Sequence, residues 1–111
     1  MSSTLGEYTV GEPNSGHLQL AVSAAPFEYL ELEHKDGIKA LDFQGDVLVV
    51  PASHQSSATI LAEYSVYDSG GILQTKLFTP ALEPLNVSPG DKVEAVERPV
   101  GFLLTTKGDE P

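Results

Sequence analysis

The sequence predicts an all-β protein: a single β-sandwich or jelly-roll-like domain of about eight short strands with an extended N-terminal arm. Three features support this prediction. Apolar and polar residues alternate in several segments, turn signals recur at intervals of roughly 8–12 residues, and a length of 111 residues suits one domain. About eight strands with one long crossover are typical of a jelly roll, which divides them between two sheets.

Alternation is clearest in residues 17–23, where Leu18, Leu20 and Val22 share one face. The other predicted strands have weaker alternation or short apolar runs, and they occupy residues 28–34, 38–43, 46–50, 57–67, 72–79, 92–97 and 100–105. In the strand over 57–67, alternate residues should face inward, namely Ala58, Ile60, Ala62, Tyr64 and Val66. An amphipathic helix over 56–64 is the alternative, but the β-branched and aromatic residues favour a strand.

Turn signals separate these strands. They are Asp36-Gly37, Gln44-Gly45 and Gly70-Gly71. Residues 88–91 fit a type II turn, because proline and glycine occupy its two central positions. Residues 79–90, which are rich in proline, are predicted to form a long extended connection. The residues expected to be mostly buried between the turns are Val47, Val49, Ile60, Tyr64, Leu73, Leu77 and Phe102.

Both ends of the chain are expected to lie outside the sandwich, because turn-formers and charges replace alternation there. The predicted divisions are an extended N-terminal arm over residues 1–16, a β-sandwich over 17–105 and a C-terminal tail over 106–111. Within the arm, Leu5, Tyr8 and Val10 are the predicted partner-binding residues, since they are apolar residues spaced among turn-formers.

The charge balance limits the classes of partner. Sixteen acidic residues against six basic ones give a net charge of −10. Binding to nucleic acid depends on Lys and Arg neutralising phosphates, so we expect no nucleic-acid partner, and anionic membranes are disfavoured for the same reason. The N-terminal residues do not read as a signal peptide, and no segment has the length of a transmembrane helix. The chain has no cysteine, which excludes disulfides and Cys-ligated metal sites.

Ser53 and His54 follow the apolar run 47–50 and are the first candidates for a reactive site. A serine nucleophile and its histidine base normally meet across the fold, with a third group orienting the imidazole, so neighbours in sequence do not make such a pair. We therefore predict no catalytic residues. The segment is interpreted as a polar turn after a buried strand, with His54 as a solvated loop residue.

Residues 45–54 resemble the second sequence motif of cupins, which are also β-sandwich proteins. The match consists of Gly45-Asp46, Pro51 and His54. Ser53 stands where that family has glycine, and the family's histidine falls two residues later than His54. The first cupin motif, a His-x-His pair followed by glutamate, is absent, and the other two histidines each stand alone. Because a transition-metal site needs several convergent ligands, we predict no metal site and no cofactor.

The carboxylates and the tyrosines offer two further candidate sites. Glu31 and Glu33 share a face of the predicted strand over 28–34 and, with Glu28 or Asp36, are candidates for contact with calcium or a glycosidic bond. In a chain this acidic, such a pair is more often a solvated face. The four tyrosines keep a surface for stacking on sugars among the possible sites, although tryptophan is absent.

The whole chain is small, acidic, free of cysteine and rich in predicted strands, with an arm at its N-terminus. This profile resembles the small decoration proteins of tailed-phage capsids, also called cement or staple proteins, and in particular those of Epsilon15-like phages. The resemblance implies a non-enzymatic virion structural protein, made in the host cytoplasm, that binds the capsid exterior in many copies. Such a protein reinforces contacts between major coat subunits.

The resemblance also implies the partners, which are the lattice of major capsid protein and, in a homo-oligomer, the chain itself. No nucleic acid and no membrane are expected among them. The alternative function is a cupin-like or carbohydrate-binding β-sandwich module that takes a small ligand. A third alternative is an enzyme whose site the residue pattern does not reveal.

Overall fold

Two antiparallel sheets of six and four strands form a sandwich in the computed structural model, which describes residues 4–14 and 16–106. The all-β prediction is confirmed. The strands are β1 (Thr4–Thr9), β2 (Gly11–Asn14), β3 (His17–Ser23), β4 (Gly37–Phe43), β5 (Asp46–Pro51), β6 (Ile60–Ser65), β7 (Tyr67–Ser69), β8 (Ile72–Phe78), β9 (Lys92–Arg98) and β10 (Gly101–Thr106). The larger sheet has the order β1-β9-β10-β5-β4-β6, and the smaller has β2-β3-β8-β7.

Ten strands are present in these described residues, where about eight were expected. The N-terminal segment contributes two strands, the predicted strand over 57–67 becomes two, and the one predicted over 28–34 is missing. The remaining predicted strands are all present, with ends that differ by a residue or so.

Two of the three predicted glycine turns close hairpins as expected. In the first turn, Gln44 has φ 54° and Gly45 has φ 94°; in the second, φ is 65° and 90° at Gly70-Gly71. Two-residue type I′ turns require such positive values at both positions. The predicted turn at residues 88–91 is also confirmed, because the Asp91 N–H donates to the Ser88 carbonyl at 3.0 Å and Gly90 has φ 93°. The hairpin turn predicted at Asp36-Gly37 is wrong, because β4 begins at Gly37 and residues 28–34 form no strand to precede it.

A helix, α1 (Ala25–Tyr29), occupies the start of the segment that was predicted as a strand over 28–34, so that prediction is wrong. Pro26 lies in the first turn of this helix, where its fixed φ favours a helix start. Phe27 is fully buried and packs edge-on against Phe102, with ring centroids 5.9 Å apart. Leu30 and Leu32 alternate after Phe27 because they pack against the core, and not because they belong to a strand.

The proline-rich connection over 79–90 is also more ordered than the extended segment that was predicted. Its first half forms a short helix, α2 (Thr79–Leu82), and a 3₁₀ helix (Glu83–Leu85), each with proline in its first turn. Leu82 is fully buried and Leu85 nearly so. The connection coils because its apolar side chains reach the core in that way, and α2 contacts strands of both sheets.

The core lies between the two sheets, and the predictions for it are mostly correct. Val47, Val49, Leu77 and Phe102 are almost completely buried, while Tyr64 and Leu73 are partly buried and pack against the same cluster. Ile60 is the exception, since 47% of its side chain is exposed.

A β-bulge explains the exposure of Ile60. Ala40 pairs with Ala62, but the next residue of β4, Leu41, pairs with Ile60, so Leu61 is an extra residue on β6. Leu61 packs against the core instead. The extra residue places the side chains before it on the opposite face of the sheet. Alternation along the sequence does not reveal such a bulge.

Residues 4–14 lie within the sheets, so the prediction of an arm outside the sandwich is wrong for the part of residues 1–16 that the structure describes. β1 pairs with β9 from Thr4 to Thr9, with a bulge before Gly6, and β2 pairs with β3. The turn-formers mark a bulge and a corner where the chain changes sheets. Residues 1–3 and 15 of that arm, and 107–111 of the predicted tail, lie outside the described residues, and Thr106 ends β10.

Leu77 and Ile60 provide a direct test of the observed strand phases. Leu77→Ala should lower the free energy of unfolding by about 2–5 kcal/mol, because it leaves a cavity at a residue that is 1% exposed. Ile60→Ala should cost about 0.5 kcal/mol or less, as expected for an exposed site. Urea denaturation of both variants measures the difference, and equal losses would contradict the bulge.

Removal of residues 1–10 tests the position of the N-terminal segment. This truncation deprives β9 of its edge partner and removes Val10, which is 2% exposed in the core. The free energy of unfolding should fall by at least about 2 kcal/mol. Thr9→Ala, at an exposed position of β1, is the control and should stay within about 0.5 kcal/mol of the wild type. An unchanged melting temperature for the truncated protein would show that β1 is dispensable.

Candidate functional site

An open groove lies where the two sheets part, between the end of β6 and the second half of β8. We call it the edge slot. It has a volume of about 580 Å³ and is lined by residues 63–65 and 67 on one side and by residues 74–76 and 78 on the other. β6 is the last strand of the six-stranded sheet, whereas β8 belongs to the other sheet. The slot is therefore bounded by a strand from each sheet.

Two side-chain hydrogen bonds span the floor of the edge slot. The Tyr64 hydroxyl accepts the N–H of Phe78 at 3.2 Å, and the Thr75 hydroxyl donates to the Ser65 carbonyl at 2.8 Å. Thr75 is itself buried, so its hydroxyl needs this partner. Each bond joins β6 to β8, and together they hold the two strands at a fixed separation without backbone pairing between them.

Aromatic side chains form the rim of the slot. Tyr67 and Phe78 are 52% and 43% exposed, which is high for residues of their size. The rings of Phe78 and Tyr64 lie 6.2 Å apart. Tyr67 contacts the ring of His34 at 6.1 Å, and His34 Nδ1 accepts the N–H of Asp68 at 3.0 Å. His34 thus holds the start of β7, which lies at the rim of the slot, by a ring contact and a hydrogen bond.

A second, smaller groove of about 420 Å³ lies on the other side of Phe78. It is lined by Pro13, His17, Gln19 and the start of α2. The Thr79 hydroxyl at this start accepts the N–H of Leu18 at 2.9 Å. Phe78 lines both grooves, so its ring separates them.

The three predicted partner-binding residues contact the chain's own core. Val10 belongs to the core cluster, and Leu5 and Tyr8 pack against it. The Tyr8 hydroxyl donates to the Ser23 carbonyl at 2.8 Å and so ties β1 of one sheet to the end of β3 in the other. Burial raises the pKa of the Tyr8 hydroxyl above its ordinary value of 10.0.

The cupin-like segment forms β5 and the turn after it. β5 lies between β4 and β10 inside the larger sheet. The backbone N–H of His54 donates to the Pro51 carbonyl at 2.9 Å, and the residue is partly buried and not fully solvated. Within residues 4–14 and 16–106, no group of three or more His, Asp or Glu side chains is placed to hold a metal ion.

The fold does not place the acidic candidates on one strand face. Glu28 lies in α1 and Glu31, with φ 58°, in the turn that follows, so Glu31 and Glu33 share no strand face. Aspartates at turns bind backbone instead. Asp36 accepts the N–H of Glu33, Asp68 that of Gly71 and Asp91 that of Ser88, each at 2.8 Å.

Sequence reasoning did not identify Phe78, although a signal was available. β8 buries Thr75 and Leu77, so the alternate residues Gln74, Lys76 and Phe78 face away from the core. Exposed aromatic residues that share a patch, as Phe78 and Tyr67 do at the rim of the slot, indicate an interaction surface.

No protein-family model, curated protein or solved structure matches this chain. Among the described residues, no helix is both long and apolar enough to cross a membrane.

The hydrogen bond from Tyr8 to Ser23, which joins the two sheets, can be tested by substitution and by the pH dependence of stability. At neutral pH, Tyr8→Phe should lower the free energy of unfolding by about 0.5–1.5 kcal/mol, because the Ser23 carbonyl loses its partner. Tyr67→Phe, at an exposed ring, is the control and should change it by about 0.5 kcal/mol or less.

The sign of the pH dependence follows from the raised pKa of Tyr8. The folded state favours the neutral phenol, so this stabilisation is complete below the unfolded-state pKa of about 10 and is lost as the pH rises through the folded-state pKa. Thermal melts between about pH 9 and pH 11 should therefore show the wild type losing more stability than Tyr8→Phe. Parallel curves would mean that Tyr8 titrates alike in both states.

Proposed function

We propose that this protein is a non-enzymatic virion structural protein that decorates the outer surface of a phage capsid and reinforces contacts between major coat subunits. The observation that carries the proposal is the edge slot, where exposed aromatic rings flank the open edges of two strands. Aromatic residues are enriched at protein–protein interfaces, where they supply much of the binding energy. The likeness of the whole chain to phage decoration proteins supports a capsid as the partner.

The charge of the chain is consistent with this role. A net charge of −10 keeps free copies soluble and apart. On a lattice, one copy that contacts two coat subunits at once can bind tightly through two weak contacts, because linked contacts raise the overall avidity. The lattice of major coat protein is thus the proposed partner, with copies of this chain as neighbours on it.

One observation favours the alternative of a carbohydrate-binding module. The edge slot has a volume within the range of small-molecule sites. It combines the exposed rings of Tyr67 and Phe78 with the polar side chains of Gln74 and Lys76. Sugars bind to surfaces of this kind by stacking on rings and by hydrogen bonding to polar groups.

A matched pair of phenylalanines tests the proposed function. Phe78 and Phe43 are 43% and 42% exposed, but Phe43 lies at the β4–β5 turn and does not line the slot. Phe78→Ser should weaken binding to undecorated capsids of the same virus by about tenfold or more, while Phe43→Ser should leave it nearly unchanged. Co-sedimentation titrations measure both.

If the wild-type protein fails to bind these capsids, the decoration function is wrong. If instead it binds members of a glycan array and Phe78→Ser abolishes that binding, the carbohydrate-binding function replaces it.

A further inference from the structure

We infer that the edge slot binds an extended, positively charged segment of the partner protein, which adds a strand to the free edge of β8. This inference rests on the proposed function and names how the coat protein would be held. In such strand addition, main-chain hydrogen bonds supply affinity, and side-chain contacts on alternate residues supply specificity.

The edge of β8 is free because β7 is too short to cover it. β8 has seven residues and β7 three, and the pairing between them ends at Tyr67 and Gln74. Beyond that point the preceding chain turns away at Val66 to join the six-stranded sheet. On this side of β8, residues 75–78 therefore have no neighbouring strand among the described residues.

The hydrogen-bonding direction of each residue follows from the strand on the other side. The N–H of Ala24 donates to the carbonyl of Leu73, so Leu73 directs its backbone groups towards β3. Successive residues of a strand direct these groups to opposite sides. Thr75 and Leu77 therefore bond β3, whereas Lys76 and Phe78 direct their groups into the slot. The bond from the N–H of Phe78 to Tyr64 agrees with this assignment.

The backbone groups of β6, on the opposite wall, alternate in the same way. Val66 bonds the β4 side, since its N–H donates to the Asp36 carbonyl. Ser65 therefore faces the slot, as its bond from Thr75 shows, and so does Glu63 two residues before it. The Ser65 carbonyl and the Phe78 N–H are already bonded to Thr75 and Tyr64, so the backbone groups offered to an incoming strand are those of Lys76 on β8 and Glu63 on the opposite wall.

The aromatic rim and the overall charge specify the chemistry of the occupant. Apolar side chains on one face of an added strand would contact the exposed rings of Tyr67 and Phe78. The net charge of −10 attracts a cationic segment and repels another copy of this chain. We therefore assign the slot to a partner segment in which apolar residues alternate with lysine or arginine.

Two substitutions of Lys76 distinguish binding through its backbone N–H from binding through its side chain. Lys76→Pro removes the N–H that faces the slot and leaves the ladder to β3 intact, because proline is tolerated where a strand edge is free. Lys76→Ala removes the same side chain and keeps the N–H. In co-sedimentation with undecorated capsids, Lys76→Pro should lose about tenfold or more in affinity, and Lys76→Ala should stay within about threefold of the wild type.

Each outcome bears on one of the two proposals. Equal binding by the wild type and both variants would overturn strand addition and leave capsid decoration intact. Equal weakening by both variants would also overturn it, in favour of a contact made by the lysine side chain. Failure of the wild type to bind would overturn the decoration function, and strand addition with it.

Hydrogen exchange on the wild-type complex supplies a second measurement that does not depend on the folding of Lys76→Pro. Exchange of the Lys76 amide should slow about tenfold or more when the protein is bound to capsids. The Phe43 amide at the far end of β4 should be unaffected and serves as the internal reference. Unchanged exchange at Lys76 in the bound protein would contradict the inference.

Discussion

The crossing of the chain from one sheet to the other at Val66 is the constraint on which the edge slot depends. Val66 is fully buried, and its backbone bonds Asp36 and Lys35 at 2.9 and 2.6 Å. These bonds hold the residue in the larger sheet, so the smaller sheet begins again only at Tyr67. β7 is consequently short, and the second half of β8 is left without a neighbour. A longer β7 would complete the smaller sheet and remove the slot.

The crossing also explains why side chains join β6 to β8. The two strands diverge towards different sheets, so backbone groups near the crossing cannot pair with each other. Thr75 and Tyr64 span the gap with hydroxyl groups, which bond the partly buried carbonyl of Ser65 and the N–H of Phe78. Tyr8 performs the corresponding task at the other edge of the larger sheet, where it bonds Ser23. Polar bonds between the sheets thus supplement the apolar core that lies between them.

Much of the fold could be predicted from alternation and turn chemistry, because both act over a few residues. Residues 17–23 and the type I′ turn at Gly70-Gly71 are examples of such local signals. One error overlooked a local signal, and the others have non-local causes. The overlooked signal is Pro26, which starts a helix just before the alternating leucines. Ile60, in contrast, is exposed because of a bulge that only the pairing with β4 reveals. The slot was likewise beyond sequence reasoning, since it results from the unequal lengths of two paired strands.

Open strand edges favour association with any other strand, so a folded protein must restrict which strands reach them. Here charged residues, Glu63 on β6 and Lys76 on β8, occupy the two edges of the slot. The bonds from Thr75 and Tyr64 also occupy part of the backbone there. A second copy brings its own negative charge, and repulsion between copies opposes pairing of their edges. The same charge favours a cationic strand, so one property of the sequence both limits self-association and selects the partner that we infer.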